Sequence, residues 1–219
     1  MGNPLPTADA KTQHAMKTPF RTLAATLALA TLPATGFAQT AASSDPKAAQ
    51  SGHYTIEPTH TQVVFTISHL GFTPYTGIFS QASGTLALDK TDPAHDKLAV
   101  SIPIASVMTT STTLNKELTG PDWFDAGRYA AATFVSTKVT PTGPSTARID
   151  GTLTLHGVRR PVTLAAHFMG AGINPIDQHE TIGFDATTTV RRSDFGITKY
   201  LPVLGDGVTL SIAGAFEKY

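Results

Sequence analysis

From His53 onward, apolar and polar positions alternate with period two, the signature of strands with one buried and one open face. Val63, Phe65 and Ile67 alternate with Val64, Thr66 and Ser68, and Leu98, Val100, Ile102 and Ile104 alternate with Ala99, Ser101 and Pro103. Ile149, Leu153 and Leu155 stand against Asp150, Thr152 and Thr154, and Val162, Leu164 and Phe168 against Thr163, Ala165 and His167. Ile182, Phe184 and Ala186 follow, then Val208, Leu210, Ile212 and Phe216. With weaker runs near Tyr54, from Phe79 to Leu88 and from Thr133 to Val139, the pattern predicts about eight or nine strands.

Short connections with turn residues join these runs, among them His156-Gly157, Gly143-Pro144 and Gly205-Asp206-Gly207, which favours antiparallel hairpins over helical crossovers. One stretch departs from the alternation. Between Ser106 and Leu118 the residues Leu114, Asn115, Lys116, Glu117 and Leu118 predict a short helix, ended by Gly120-Pro121. The expected fold is therefore all-β: an extended lipocalin-like antiparallel barrel of about eight strands with one short helix. A barrel of that size is either filled by its own side chains or holds one small ligand.

Before His53 the character changes. Lys17 and Arg21 precede an apolar stretch from Leu23 to Leu32, broken by Pro33, and Gly36-Phe37-Ala38 places small residues three and one before a cut. That pattern predicts an export signal cleaved after Ala38, so residues 1–38 read as an upstream extension plus signal peptide, with Met16 as an alternative start. Thr22, Thr26, Thr31 and Pro33 interrupt the stretch too often for a spanning helix. Residues 39–51 are small and polar and predict a flexible leader, leaving 52–219 as the barrel.

Charge and composition narrow the chemistry. Sixteen basic and sixteen acidic residues cancel, so nucleic acid is not an expected partner. After cleavage at Ala38, thirteen basic and fifteen acidic residues would remain. The absence of cysteine removes disulfides, thiolate metal sites and thiol nucleophiles together. No G-x-S-x-G or H-E-x-x-H occurs, and no catalysis is expected. Arg192-Ser193-Asp194-Phe195-Gly196 contains the letters of a kinase metal motif but has none of its companions. Arg192 has the donor geometry to meet a phosphate or quinone oxygen, or to pair with Asp194 or Asp185. His60 and His69 stand nine apart, which puts them on opposite faces of an unbroken strand, so neither a metal nor a cofactor is expected. Asp122-Trp123-Phe124-Asp125 reads as an anchor for the helix or as a flap over one barrel end.

These motifs, in order, resemble the YceI-like family: Tyr54, Glu57-Pro58-Thr59-His60, Val63, Phe65, His69 and Gly71; Gly77, Phe79 and Gly84; Asp122 to Asp125, Tyr129 and Phe134; Gly151 to Val158 with Pro161-Val162; Gly183-Phe184; Arg192 to Gly196; and Val208, Leu210 and Ile212. Glu57 and Thr61 stand where Asp and Ser are more usual, Ala130 where a Pro often follows the aromatic, and the helix before Asp122 lacks a His that many members have. The resemblance implies a periplasmic barrel that binds polyisoprenoids or related amphiphiles such as quinones, often as a homodimer.

A chain of roughly forty carbons costs on the order of 30 kcal/mol to expose to water, so it needs a continuous apolar enclosure. Phe65, Ile67, Phe79, Leu86, Val100, Ile102, Phe134, Leu153, Phe168, Phe184 and Ile212 are the expected lipid-lining residues, with Arg192, His60 and His69 as head-group candidates. The expected function is a non-catalytic carrier of a polyprenyl phosphate or isoprenoid quinone, with transient contact to a membrane surface. The alternatives are a ligand-free stress or interaction protein on the same barrel and an outer-membrane barrel. The latter is disfavoured by few aromatics and by Pro103 within a strand.

Overall fold

The computed structural model describes residues 42–219. The signal segment, its cleavage after Ala38 and the alternative start at Met16 lie outside the described residues. Among the described residues ten strands and one α-helix follow in order: β1 (Gly52–Ile56), β2 (Gln62–His69), β3 (Thr73–Phe79), β4 (Ser83–Leu88), β5 (Lys97–Pro103), α1 (Thr112–Thr119), β6 (Ala131–Pro141), β7 (Thr146–Leu155), β8 (Val158–Ile173), β9 (Glu180–Arg191) and β10 (Gly207–Lys218).

Eight of the strands close a barrel in the order β1-β4-β5-β6-β7-β8-β9-β10, sealed by β1 against β10 from Tyr54↔Lys218 to Ile56↔Phe216. All the pairings are antiparallel, as the short turns require. At His156-Gly157 both residues have positive φ (51° and 73°), which matches the right-handed twist of the β7–β8 hairpin that they join.

The other two strands share an edge with β1. Strand β10 offers its remaining edge to β1 near its C-terminus and to β2 over Val208 to Ala213, and β3 pairs with β2 outside that. The wall is thus sealed by β1 at one end and flared by the β2–β3 hairpin at the other. The segment from Ile104 to Ala130 runs along the free edge of β3, to which it is tied by reciprocal 2.8 Å hydrogen bonds between Ile78 and Met108. Within that segment α1 begins where Ser111 Oγ accepts the Leu114 N–H, and ends at Gly120 before Pro121.

Three local expectations change. The run from Phe79 to Leu88 spans the end of β3 and all of β4, and most of β3 carries no alternation because Pro74 and Gly77 interrupt it. The leader is docked from Ser43, which pairs with Ala171, and a 3₁₀ turn over Pro46–Ala48 leads to Ala49, which is buried in the core. Gly205-Asp206-Gly207 is the end of a connection running from Arg192 to Asp206, not a tight hairpin turn.

Candidate ligand-binding site

Strand parity builds the site. Along β9 every even position from Ile182 to Val190 faces inward, and Arg192 continues that phase one step past the strand. The inward phases of β2, β5, β7, β9 and β10 together enclose two adjoining chambers. The larger has a volume of about 530 Å³ and lies at the flared end, under β2, β3, α1 and the Arg192–Asp206 connection. The smaller, about 310 Å³, lies at the sealed end beneath the Pro46–Ala48 turn. Val63, Ile102, Leu153 and Leu210 line both, so they form the waist between them. The outer face carries exposed Thr187, Thr189, Thr209 and Ser211, whereas a barrel spanning a bilayer presents its apolar face outward.

Each of the eleven expected lining residues borders a chamber. Phe65, Ile67 and Phe79 line the larger, Leu86, Val100, Phe134, Phe168, Phe184 and Ile212 the smaller, and Ile102 and Leu153 both. Edge-to-face aromatic pairs order these walls, with centroid distances of 5.5 Å for Phe79–Phe124 and 5.8 Å for Phe168–Phe184.

The three head-group candidates separate. His60 borders neither chamber: the Glu57 carboxylate accepts the backbone N–H groups of Thr59 and His60 and lies 2.6 Å from His60 Nδ1, holding the ring on an exposed turn. Its assignment to a head group is therefore corrected. His69 lines the outer part of the larger chamber, with its ring 6.3 Å from that of Tyr75. Arg192 is buried in the chamber wall, where its Nε, Nη1 and Nη2 donate to the carbonyls of Gly205 (2.8 Å), Ile197 (3.0 Å) and Leu204 (3.3 Å).

Neither Asp194 nor Asp185 pairs with Arg192 among the described residues. Burial lowers its pKa from the usual guanidinium range, partly offset by the nearby Asp206 charge. Asp206 in turn accepts from Arg191 Nε, Ser193 N–H and Ser193 Oγ–H, which outweigh its own burial and hold its pKa down. The Arg192–Gly196 motif thus pins the loop that covers the chamber. A guanidinium has five N–H donors, so two have no partner among the described residues.

Trp123 is both anchor and wall. Its Nε1–H donates to Glu117 Oε1 on α1 (3.1 Å), its ring lies 6.1 Å from that of Tyr200, and it borders the larger chamber together with Phe124. Leu114 and Leu118, one helical turn apart, face the same space. Their spacing was a readable signal; Leu70, Ile197, Tyr200 and Leu204 lie in loops without one.

The smaller chamber ends on acids. Asp96 is buried and accepts the Asp89 N–H at 2.7 Å; burial, reinforced by the charges of Asp89 and Asp92, raises its pKa to about 6. Asp89 is held down at about 2, chiefly by the hydroxyl and amide of Thr91. On the outside, Asp177, His179 and Glu217 converge with ligand atoms within 4.8 Å, but His179 Nδ1 already faces both carboxylates, at 3.8 and 3.5 Å.

Residues 54–216 match the YceI-like domain family. A UPF0312 protein of Pseudomonas fluorescens is 40% identical over 162 residues, covering 72% of this chain and 81% of its own length. Among solved structures, the YceI protein of Campylobacter jejuni superposes with a TM-score of 0.62 at 30% identity, over 69% of this chain and 90% of the other. A polyisoprenoid-binding domain from Saccharophagus degradans, implicated in plant cell wall breakdown, shares the fold: TM-score 0.61, 16% identity, 78% of this chain and all of that one.

Proposed function

Because this chain belongs to the YceI-like family, we propose that it binds a long-chain isoprenoid lipid inside the barrel and carries it through the periplasm without catalysis. The observation that carries this reading is the pair of apolar chambers joined at the waist of Val63, Ile102, Leu153 and Leu210. A dry core would have no reason to leave 530 Å³ unfilled behind a wall of aromatics. The polyisoprenoid-binding domain of Saccharophagus degradans, on the same fold, supports the choice of ligand.

Volume sets the scale. At roughly 30 Å³ per carbon-sized unit, taken from the share of one water in the liquid, the larger chamber holds about 18 carbons and the smaller about 10. A chain near forty carbons therefore needs the barrel to widen, or leaves its head end at the flared mouth. There Arg192 has two N–H donors without a partner among the described residues and His69 stands beside Tyr75, so a phosphate or a quinone oxygen finds a donor. The signal-like segment before Ala38 supports the periplasmic placement.

The test is native mass spectrometry of the protein purified without detergent, with mass analysis of an organic extract of the same sample. An isoprenoid mass series in the bound state is the expected result, and the native mass also reads the oligomeric state. A ligand-free mass with no uptake on incubation would sink the carrier and favour an interaction protein on the same barrel.

A further inference from the structure

The larger chamber opens between two loops that carry a concentration of exposed apolar side chains. The turn between β2 and β3 presents Leu70 and Phe72, and the loop before β10 presents Tyr200 and Val203, with fractional exposures of 41%, 83%, 58% and 66%. The loops are joined, since Gly205 N–H donates to Ser68 O at 3.0 Å. Leu70 and Tyr200 both line the chamber and are exposed, so through these two side chains the chamber wall continues onto the surface. Both also hold a left-handed backbone, with φ of 55° and 61°, a conformation that bulky residues seldom adopt. Strain of this kind collects where function needs a side chain aimed against local preference.

We infer that this lip, Leu70, Phe72, Tyr200 and Val203, is the surface by which the protein seats on a lipid bilayer. The inference rests on the carrier reading, because an apolar chamber must be filled from an apolar phase and the lip is continuous with it. Its cations are engaged locally: Lys199 with Asp122 and Arg191 with Asp206. Seating is therefore apolar rather than driven by anionic head groups, and Tyr200 suits the head-group level where tyrosines concentrate. Exposed Ile173 and Ile176 lie at the opposite end and line neither chamber, so they supply a control.

The experiment compares the full chain with Phe72→Ser/Val203→Ser and with Ile176→Ser, none of which touches a chamber wall. Sedimentation with phosphatidylcholine vesicles measures seating, and quenching of Trp123 by a soluble two-isoprene quinone measures the chamber. The expected result is at least a tenfold loss of vesicle binding for the double variant, unchanged quinone affinity, an unaffected Ile176 variant, and less than a twofold effect of adding phosphatidylglycerol. Vesicle binding by the double variant equal to the parent, no vesicle binding by the parent, or strict dependence on phosphatidylglycerol would overturn it. A dimer that the double variant converts to monomer with no change on vesicles would assign the lip to a second copy and overturn it too. Lip-dependent vesicle binding without any quinone quenching would leave the seating intact and remove the carrier reading.

Discussion

The guanidinium carbon of Arg192 lies 5.6 Å from the centroid of the Trp123 ring, so the buried cation of the chamber wall is faced by an aromatic. Three carbonyls complete its surroundings, and that arrangement explains why a charge is tolerated there: each of its three nitrogens donates to a carbonyl without a second buried ion. Replacing Arg192 with Met strips those carbonyls of their donors. Urea unfolding should show a loss of about 2–4 kcal/mol, an unpaired buried acceptor being worth about 1–3 kcal/mol. If the two remaining donors also meet the ligand, phosphate-bearing isoprenoids lose more affinity than neutral ones. Equal loss for both confines Arg192 to holding the loop.

Trp123 is the chain's single tryptophan and borders the larger chamber, so it reports directly on what enters. A bound quinone should quench its emission by more than half. A quinone that stays at the lip, outside the chamber, would leave the emission near its starting value.

Asp96 makes stability depend on pH in the direction opposite to that of most carboxylates. Its pKa is about 6 when folded against 3.8 in the free side chain, so the folded state holds the proton more tightly. The stabilisation is complete below about pH 4 and is lost as pH rises through 6. Asn at this position keeps an oxygen for the Asp89 N–H and never ionises. Asp96→Asn should be more stable than the parent by about 1–2 kcal/mol at pH 7.5, with the gap closing by pH 4. Asp89, titrating near 2, lies outside that window. A constant difference across the range would mean that the Asp96 carboxyl stays ionised.

Alternation made the barrel legible because each inward residue is apolar for the same reason that the strand exists. It faded where the backbone departs from period two. In β6 a bulge between Ser136 and Lys138 moves the inward phase from Ala132 and Phe134 to Val139 and Pro141, which is why the run from Thr133 to Val139 looks weak. A second bulge, between Phe168 and Gly170, does the same in β8. The loop wall of the larger chamber was not legible at all, since Ile197 and Leu204 are held through their carbonyls by Arg192, and Tyr200 by the Leu204 N–H and the Trp123 ring, and not by local periodicity.

Gly151 shows how closely one of these rings is held. A Cβ there would stand 2.3 Å from Phe134 Cζ and 2.6 Å from the Val135 carbonyl oxygen, so the bare backbone is what lets the Phe134 ring lie across the neighbouring strand. Gly151→Ala should cost about 1–3 kcal/mol by overpacking, measured by chemical denaturation, and push Phe134 toward the smaller chamber. Adding Phe134→Leu should restore part of the loss, because the ring is removed but the carbonyl remains. No restoration would place the strain in the backbone alone.

The waist decides whether one chain runs through both chambers. Ile102 and Leu153 stand on β5 and β7, Val63 and Leu210 on the paired strands β2 and β10, so two walls face each other across the only lining that the chambers share among the described residues. Ile102→Phe narrows that gap, takes only the added bulk of one ring from the larger chamber and leaves Trp123 the single tryptophan. Ligands of up to about 15 carbons fit on one side and should bind within threefold of the parent. Chains beyond about 20 carbons must cross, and at about 0.8 kcal/mol per buried methylene, excluding two carbons already weakens binding about tenfold. A length series of isoprenoid quinones titrated against Trp123 emission would therefore show a cut-off in the variant that the parent lacks. Equal weakening at every length would mean that the smaller chamber is packing space and that the ligand ends at the waist.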